Sequence, residues 1–215
     1  MLRSYRPCPG FSLVELMVAM TIGLSVIAGV AFALFGTAQA SRQALLEAQL
    51  RQAVATAITV IDGELRRAGY WSGAGDAANA PLRNGHATLQ QLSEDCLFYG
   101  YDRDADDADG LPADDDRFGL RLSAGALQIR TSGPPCAAPC TSCTGGNWFA
   151  VNDPQWVIIE RLTFREIARE LPLDDDARRL TVREIEVTLA GRLRHATELR
   201  HRAHARIALR NDGIR

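Results

Sequence analysis

The sequence contains no lysine: all 24 of its basic residues are arginine, set against 26 acidic ones, for a formal net charge of −2. A protein that lives on phosphate contacts carries a basic excess or a basic stripe along its binding face. The near-balance therefore argues against general nucleic-acid affinity. The exclusive use of arginine reads as a habit of nucleotide composition, because most arginine simply sits solvated at the surface. Also missing is any unit that recurs at a fixed period, which excludes repeat architectures. Aromatic residues make up only 7% of the 215 positions and hydrophobic ones 47%, which fits one compact domain with accessory segments and not two large domains. Catalytic signatures are absent too: there is no GxSxG elbow, no P-loop and no glycine-rich dinucleotide turn. His86, His195, His201 and His204 lack metal-ligand spacing, and no carboxylate pair is specific enough to name an acid and a base. No enzymatic activity is expected.

One stretch lacks charge altogether. No side chain from Leu16 to Ser41 is ionisable, and the apolar run Phe11 to Phe35 can cross a hydrocarbon core of about 30 Å at about 1.5 Å per helical residue. A membrane-spanning helix is expected. Ala38, Ala40 and Ser41 would serve a cleavable secretory signal, but such signals have shorter apolar regions. Arg3 and Arg6 precede the span, which places the N-terminus in the cytoplasm and the bulk of the chain outside it. Glu15 stands within the apolar run, where a charge costs on the order of 2.5–3.5 kcal/mol at the helix centre. Either it snorkels to the head groups from near the helix start, or a neighbouring helix supplies a cation.

Proline is absent from Phe11 to Gly69, so nothing forces a kink. Past the apolar run, Leu46, Leu50, Val54, Ala57, Ile61, Leu65 and Ala68 recur every three or four residues while the charged residues fall mostly off that line. One long helix is expected from Phe11 to about Ala68, stopped by Gly69. Gly23, Gly29 and Gly36 lie in its apolar half without the small-xxx-small spacing of a dimer motif. Beyond Gly69, turn-forming residues separate short alternating runs. Phe118, Leu120 and Leu122 with Leu127 and Ile129 predict a hairpin around Ala124 and Gly125. Further strands are expected at Trp156 to Phe164, at Arg183 to Leu189, and along Ala203, Ala205, Ile207 and Leu209. The fold class is α+β, a long helix packed on an antiparallel sheet.

The run Gly10-Phe11-Ser12-Leu13-Val14-Glu15-Leu16-Met17-Val18-Ala19-Met20 resembles the processing signal of type IV prepilins and type II secretion pseudopilins. The resemblance implies that a prepilin peptidase cuts between Gly10 and Phe11 and methylates the new N-terminus on Phe11. Glu15 then neutralises the N-terminal amine of an adjacent subunit, an arrangement in which two buried charges suffer less together than apart. It also implies a pilin-like organisation: a leader at 1–10, a transmembrane and assembly half of the helix at 11–38, an amphipathic half at 39–69 and a periplasmic or extracellular head at 70–215. Leu65 to Trp71, Asp116 to Leu122 and Ile207 to Asp212 are similar to segments of the PilW-type minor pilins. That likeness implies a subunit that primes a type IV pilus and sits at its tip, with other minor pilins, the major pilin, the inner-membrane assembly machinery and a tip adhesin as partners. The chain would reside in the bacterial inner membrane, in contact with lipid, until assembly carries it to the cell surface. A J-type minor pseudopilin of type II secretion, or an anchored periplasmic binding protein or enzyme that never polymerises, are the alternatives.

Processing would remove Cys8 and leave Cys96, Cys136, Cys140 and Cys143. Four thiols in an exported head predict disulfides, with three connectivities open. A four-thiolate zinc site is the competing arrangement, and a redox-active pair at Cys140 and Cys143 lacks its strand–helix context. Glu94 to Asp116 holds ten acids against Arg103 alone. Asp107, Asp109, Asp114 and Asp116 are the candidate calcium ligands. Ala105 stands where an EF-hand needs its first ligand, and a solvated acidic loop is the commoner outcome. No other cofactor is indicated. Arg178 to Arg215 has the opposite bias, ten arginines against four acids, and Arg202, His204, Arg206 and Arg210 should share one face of the last strand. That face would dock an acidic patch or blunt an edge; as evidence for nucleic acid it is weak.

Overall fold

A single helix, α1 (Leu13–Arg67), accounts for 55 residues of the computed structural model, which describes residues 10, 12–75, 89–105, 113–132, 143–172 and 179–210. The chain divides into two compact units, one ending at Leu46 and the other running from Glu47 onward. Within the second unit the expected stripe is buried: Leu50, Val54, Ala57, Ile61, Leu65 and Ala68 are all at most 6% exposed. Leu46 departs from the expectation. It is the last residue of the first unit and is exposed. Gly69, with φ of 77°, ends the helix and donates its N–H to the Gly100 carbonyl at 2.7 Å. A residue with a Cβ would be strained in that left-handed conformation.

The head is built on two antiparallel sheets where the sequence led to the expectation of one. The first runs β1 (Leu89–Ser93), β2 (Cys96–Gly100), β3 (Arg117–Ser123), β4 (Ala126–Ser132) and β5 (Asn147–Ala150), in that order. The second runs β6 (Val157–Pro172), β7 (Arg179–Leu193) and β8 (Arg200–Ala208). The β3–β4 hairpin closes at Ser123↔Ala126 through Ala124 and Gly125, whose φ values of 51° and 79° give the twist that a two-residue hairpin turn requires. The helix stripe shares one continuous core with Leu97, Leu120 and Leu127 of the first sheet and with Ile159, Leu162, Ile185, Val187, Leu189 and Ile207 of the second. Each such aliphatic side chain contributes about 1.5–3 kcal/mol on full burial. Gly191 on β7 lies close under the helix: a Cβ there would be 3.2 Å from the Ile158 carbonyl oxygen and 3.5 Å from Val54 on the helix.

Polar stitches join the two sheets. The Ile159 N–H donates to the Gly125 carbonyl, and the Phe164 N–H to that of Glu94, both at 2.8 Å. Asn152 accepts from the Leu127 N–H at 2.8 Å and donates to the Val157 carbonyl at 2.7 Å. These satisfy backbone groups that neither ladder reaches.

At the C-terminal end of α1 the residues around Tyr70 and the start of β3 meet through Tyr101 and Asp102. The Asp102 N–H donates to the Tyr70 carbonyl and the Tyr101 N–H to that of Asp116. The Tyr101 and Phe118 rings stack at 4.0 Å, with the Arg67 and Arg103 guanidinium groups over their outer faces. Behind them Tyr99 donates its hydroxyl to Glu64 at 2.8 Å, and Arg67 pairs with the same carboxylate. Burial, reinforced by the Glu64 charge, pushes the Tyr99 phenol well above the usual tyrosine range and raises that of Tyr101. Below about pH 10 folded and unfolded chains both keep these protons. Above it the unfolded chain loses them first, so stability falls as pH rises. Tyr99→Phe is expected to flatten that alkaline loss, read as thermal midpoints between pH 9 and 11. An unchanged slope would assign the loss to other groups.

Candidate processing and assembly segment

Gly10 is exposed, and a Cβ built on it would meet nothing within 4 Å. The chain's own packing therefore gives no reason for glycine at this position. Phe11 lies outside the described residues. The helix opens with the Leu16 N–H donating to the Ser12 carbonyl at 3.1 Å, and Glu15 sits in that first turn. An acid is favoured there by the helix dipole, by about 0.3–1 kcal/mol. Among the described residues Glu15 makes no ion pair, and Leu13, Val14, Leu16, Met17 and Val18 around it are all exposed. The helix holds an 18-residue window of mean hydropathy 2.3 with none of it buried, long and apolar enough to cross a membrane. Gly23, Gly29 and Gly36 also have open space where a Cβ would be.

Glu15 thus lies exposed among exposed apolar side chains, downstream of a glycine that the chain's own packing does not require. The prokaryotic N-terminal methylation motif matches residues 6–31 and takes in Gly10, Phe11 and Glu15. The family described as prepilin peptidase-dependent protein B matches residues 43–209, which covers the amphipathic part of α1 and the head as far as Leu209. The chain belongs to the prepilin peptidase-dependent protein B family. It is thus a type IV pilin-like protein whose apolar N-terminal helix and methylation motif are consistent with a membrane-anchored subunit later assembled into pili. No curated protein and no solved structure matches it significantly.

Of the cysteines, Cys96 on β2 is bonded to Cys143, 47 residues away, with Cα atoms 6.5 Å apart. This removes the four-thiolate zinc arrangement, since two of its ligands are bonded to each other. Cys136 and Cys140 lie outside the described residues. The disulfide joins Phe98, Leu92 and Trp148 in a second small core. It anchors a loop whose carbonyls serve two arginines: Arg121 donates to Cys143, and the buried Arg130 donates to Gly145 at 3.2 Å. Trp148 donates to Gly145 as well, at 3.0 Å, and carries Arg121 over its ring at 4.1 Å. Desolvation lowers the Arg121 pKa.

Asp107 and Asp109 lie outside the described residues, as does the side chain of Asp114. Asp116 is 2% exposed and accepts from the backbone N–H groups of Arg103 and Ala113, so its oxygens already hold the chain around them. Among the described residues no group of three or more His, Cys, Asp or Glu side chains is placed to hold a metal.

Sequence reasoning missed β1, β2, β5 and the Tyr99–Glu64 pair. The signal for β2 was the continuous apolar run Cys96 to Tyr99, bounded by Asp95 and Asp102; it does not alternate because both faces of the strand are covered.

Proposed function

We propose that a prepilin peptidase cleaves the Gly10–Phe11 bond and methylates Phe11, and that the mature chain is a minor pilin that primes a type IV pilus and occupies its tip. The observation that carries this reading is the conjunction of a methylation motif over 6–31 and a family head over 43–209 on one exposed apolar helix. The similarity of Ile207 to Asp212 to PilW-type sequence supports a pilus over a type II pseudopilus. In the inner membrane the short N-terminus faces the cytoplasm and lipid covers the apolar helix. Extraction into the filament replaces lipid with neighbouring helices, and Glu15 meets the N-terminal amine of an adjacent subunit. Other minor pilins, the major pilin and a tip adhesin are the partners this placement calls for. No catalytic role and no metal is assigned to the chain.

Glu15→Ala tests the assembly role. The variant is expected to insert into the membrane normally, because the change makes the span more apolar. Breaking a buried pair by removing one partner costs about 3–5 kcal/mol, so incorporation into sheared filaments should fall by about a hundredfold or more. Unchanged incorporation, measured by immunoblot of filament against membrane fractions, would remove the role given to Glu15.

A further inference from the structure

The outer face of the second sheet carries a charge pattern that the assembly reading does not use. In the part paired across all three strands, Arg161, Arg165, Arg192, Arg200, Arg202 and Arg206 point outward with Glu160, Glu184 and Glu186, a formal excess of three positive charges on a chain of net −2. The carboxylates are shared unevenly. Glu160 takes Arg192 at 2.8 Å and Arg200 at 3.9 Å, while Glu186 takes Arg165, Arg206 and, through Nε2, His204. Glu184 is 3.8 Å from Arg206. Arg161 and Arg202 are left with no ion-pair partner among the described residues, and both are exposed.

Register sets these two side chains opposite one another. Arg161 on β6 pairs with Ala190 on β7, and Ala190 with Arg202 on β8, so the guanidinium groups spring from backbones two strand spacings apart, about 9.5 Å. The residue between them is an alanine, too short to fill the gap. The adjacent row is Thr163, Thr188 and His204, which adds two hydroxyls beside it. Two free planar forks over a small residue form a receptor for carboxylates, which guanidinium groups bind bidentately.

We propose that the Arg161–Ala190–Arg202 row docks the acidic segment 104–115 of a second copy of this chain. Charge complementarity picks the occupant: those twelve residues hold Asp104, Asp106, Asp107, Asp109, Asp114 and Asp115 and no base. The inference stands on strand register and ion-pair distribution and does not depend on tip placement or on cleavage at Gly10. It is tested with the full chain in neutral detergent micelles and a fluorescein-labelled peptide of sequence 104–115, followed by anisotropy at low salt. The double variant Arg161→Ala with Arg202→Ala is expected to weaken binding about tenfold, the scale of two partly exposed charge-assisted contacts. Arg51→Ala, a change on the helix, should leave it unaltered, as should the thermal midpoint of the double variant. The peptide with every Asp replaced by Asn should not bind. Equal binding to the wild type and the double variant overturns the proposal. So does tighter binding of a single-stranded oligonucleotide of equal charge, an outcome that would reassign the row to phosphate.

Discussion

Replacing Gly10 by valine is expected to leave residues 1–10 attached, to hold the chain in the membrane and to deplete it from filaments to background. The structure makes this outcome interpretable. A Cβ at Gly10 meets nothing within 4 Å, so the substitution has no route to disturb the fold, and a processing defect would belong to the encounter with the peptidase. A β-branched side chain stiffens the backbone and blocks close approach at the scissile bond, whereas Gly10→Ala adds one methyl group and should retain part of the processing. Denaturing gels of membrane fractions, with intact masses, separate the three forms. Normal cleavage of the valine variant would show that the peptidase does not need glycine at this position.

The second large effect is on stability. Changing Cys96 and Cys143 together to serine opens a loop of 47 residues, for which chain entropy sets a scale of about 4 kcal/mol. The loop also supplies the carbonyls on which Arg121 and the buried Arg130 depend, so freeing it exposes charged groups to imperfect pairing. A loss of roughly 2–4 kcal/mol is expected, and for a head of this size that lowers the thermal midpoint by about 5–15 °C. The single variant Arg130→Met separates the two contributions, because it keeps the bond and removes the guanidinium. A midpoint unchanged in the double serine variant would mean that the loop is held by Trp148 and the two arginines alone.

How far the sequence disclosed this architecture depended on how each element is covered. The helix stripe from Leu50 to Ala68 and the β3–β4 hairpin were legible because large apolar side chains recur on one face of each and polar or small ones on the other, which is what periodicity reports. The outward row on β8 was legible in the same way for Arg202, His204 and Arg206, which share a face with Ile207 buried on the other, but Arg210 does not join them, because the strand ends at Ala208. β2 was not legible, since the helix side and the Cys96–Trp148 side both cover it. Neither was the division of the head into two sheets, because the bonds that separate and stitch them run through backbone groups of Gly125, Glu94 and Phe164 that no side-chain pattern reveals. Leu46 fits the stripe in spacing, yet it is exposed. In the N-terminal segment the methylation motif was legible in the sequence, and the matched span 6–31 takes in Gly10, Phe11 and Glu15, while the open space around Gly10 shows that the fold itself does not require glycine there.

Cleavage at Gly10–Phe11 followed by entry into a filament is the step on which the proposed function stands. Intact mass and N-terminal sequence, taken on protein recovered from native membranes and from sheared surface filaments, test it most directly. The expected result is a chain that begins at N-methylated Phe11 in both fractions, with the other minor pilins co-purifying from the second. A chain that retains Met1 and is confined to membranes would contradict it and leave an anchored protein that never polymerises.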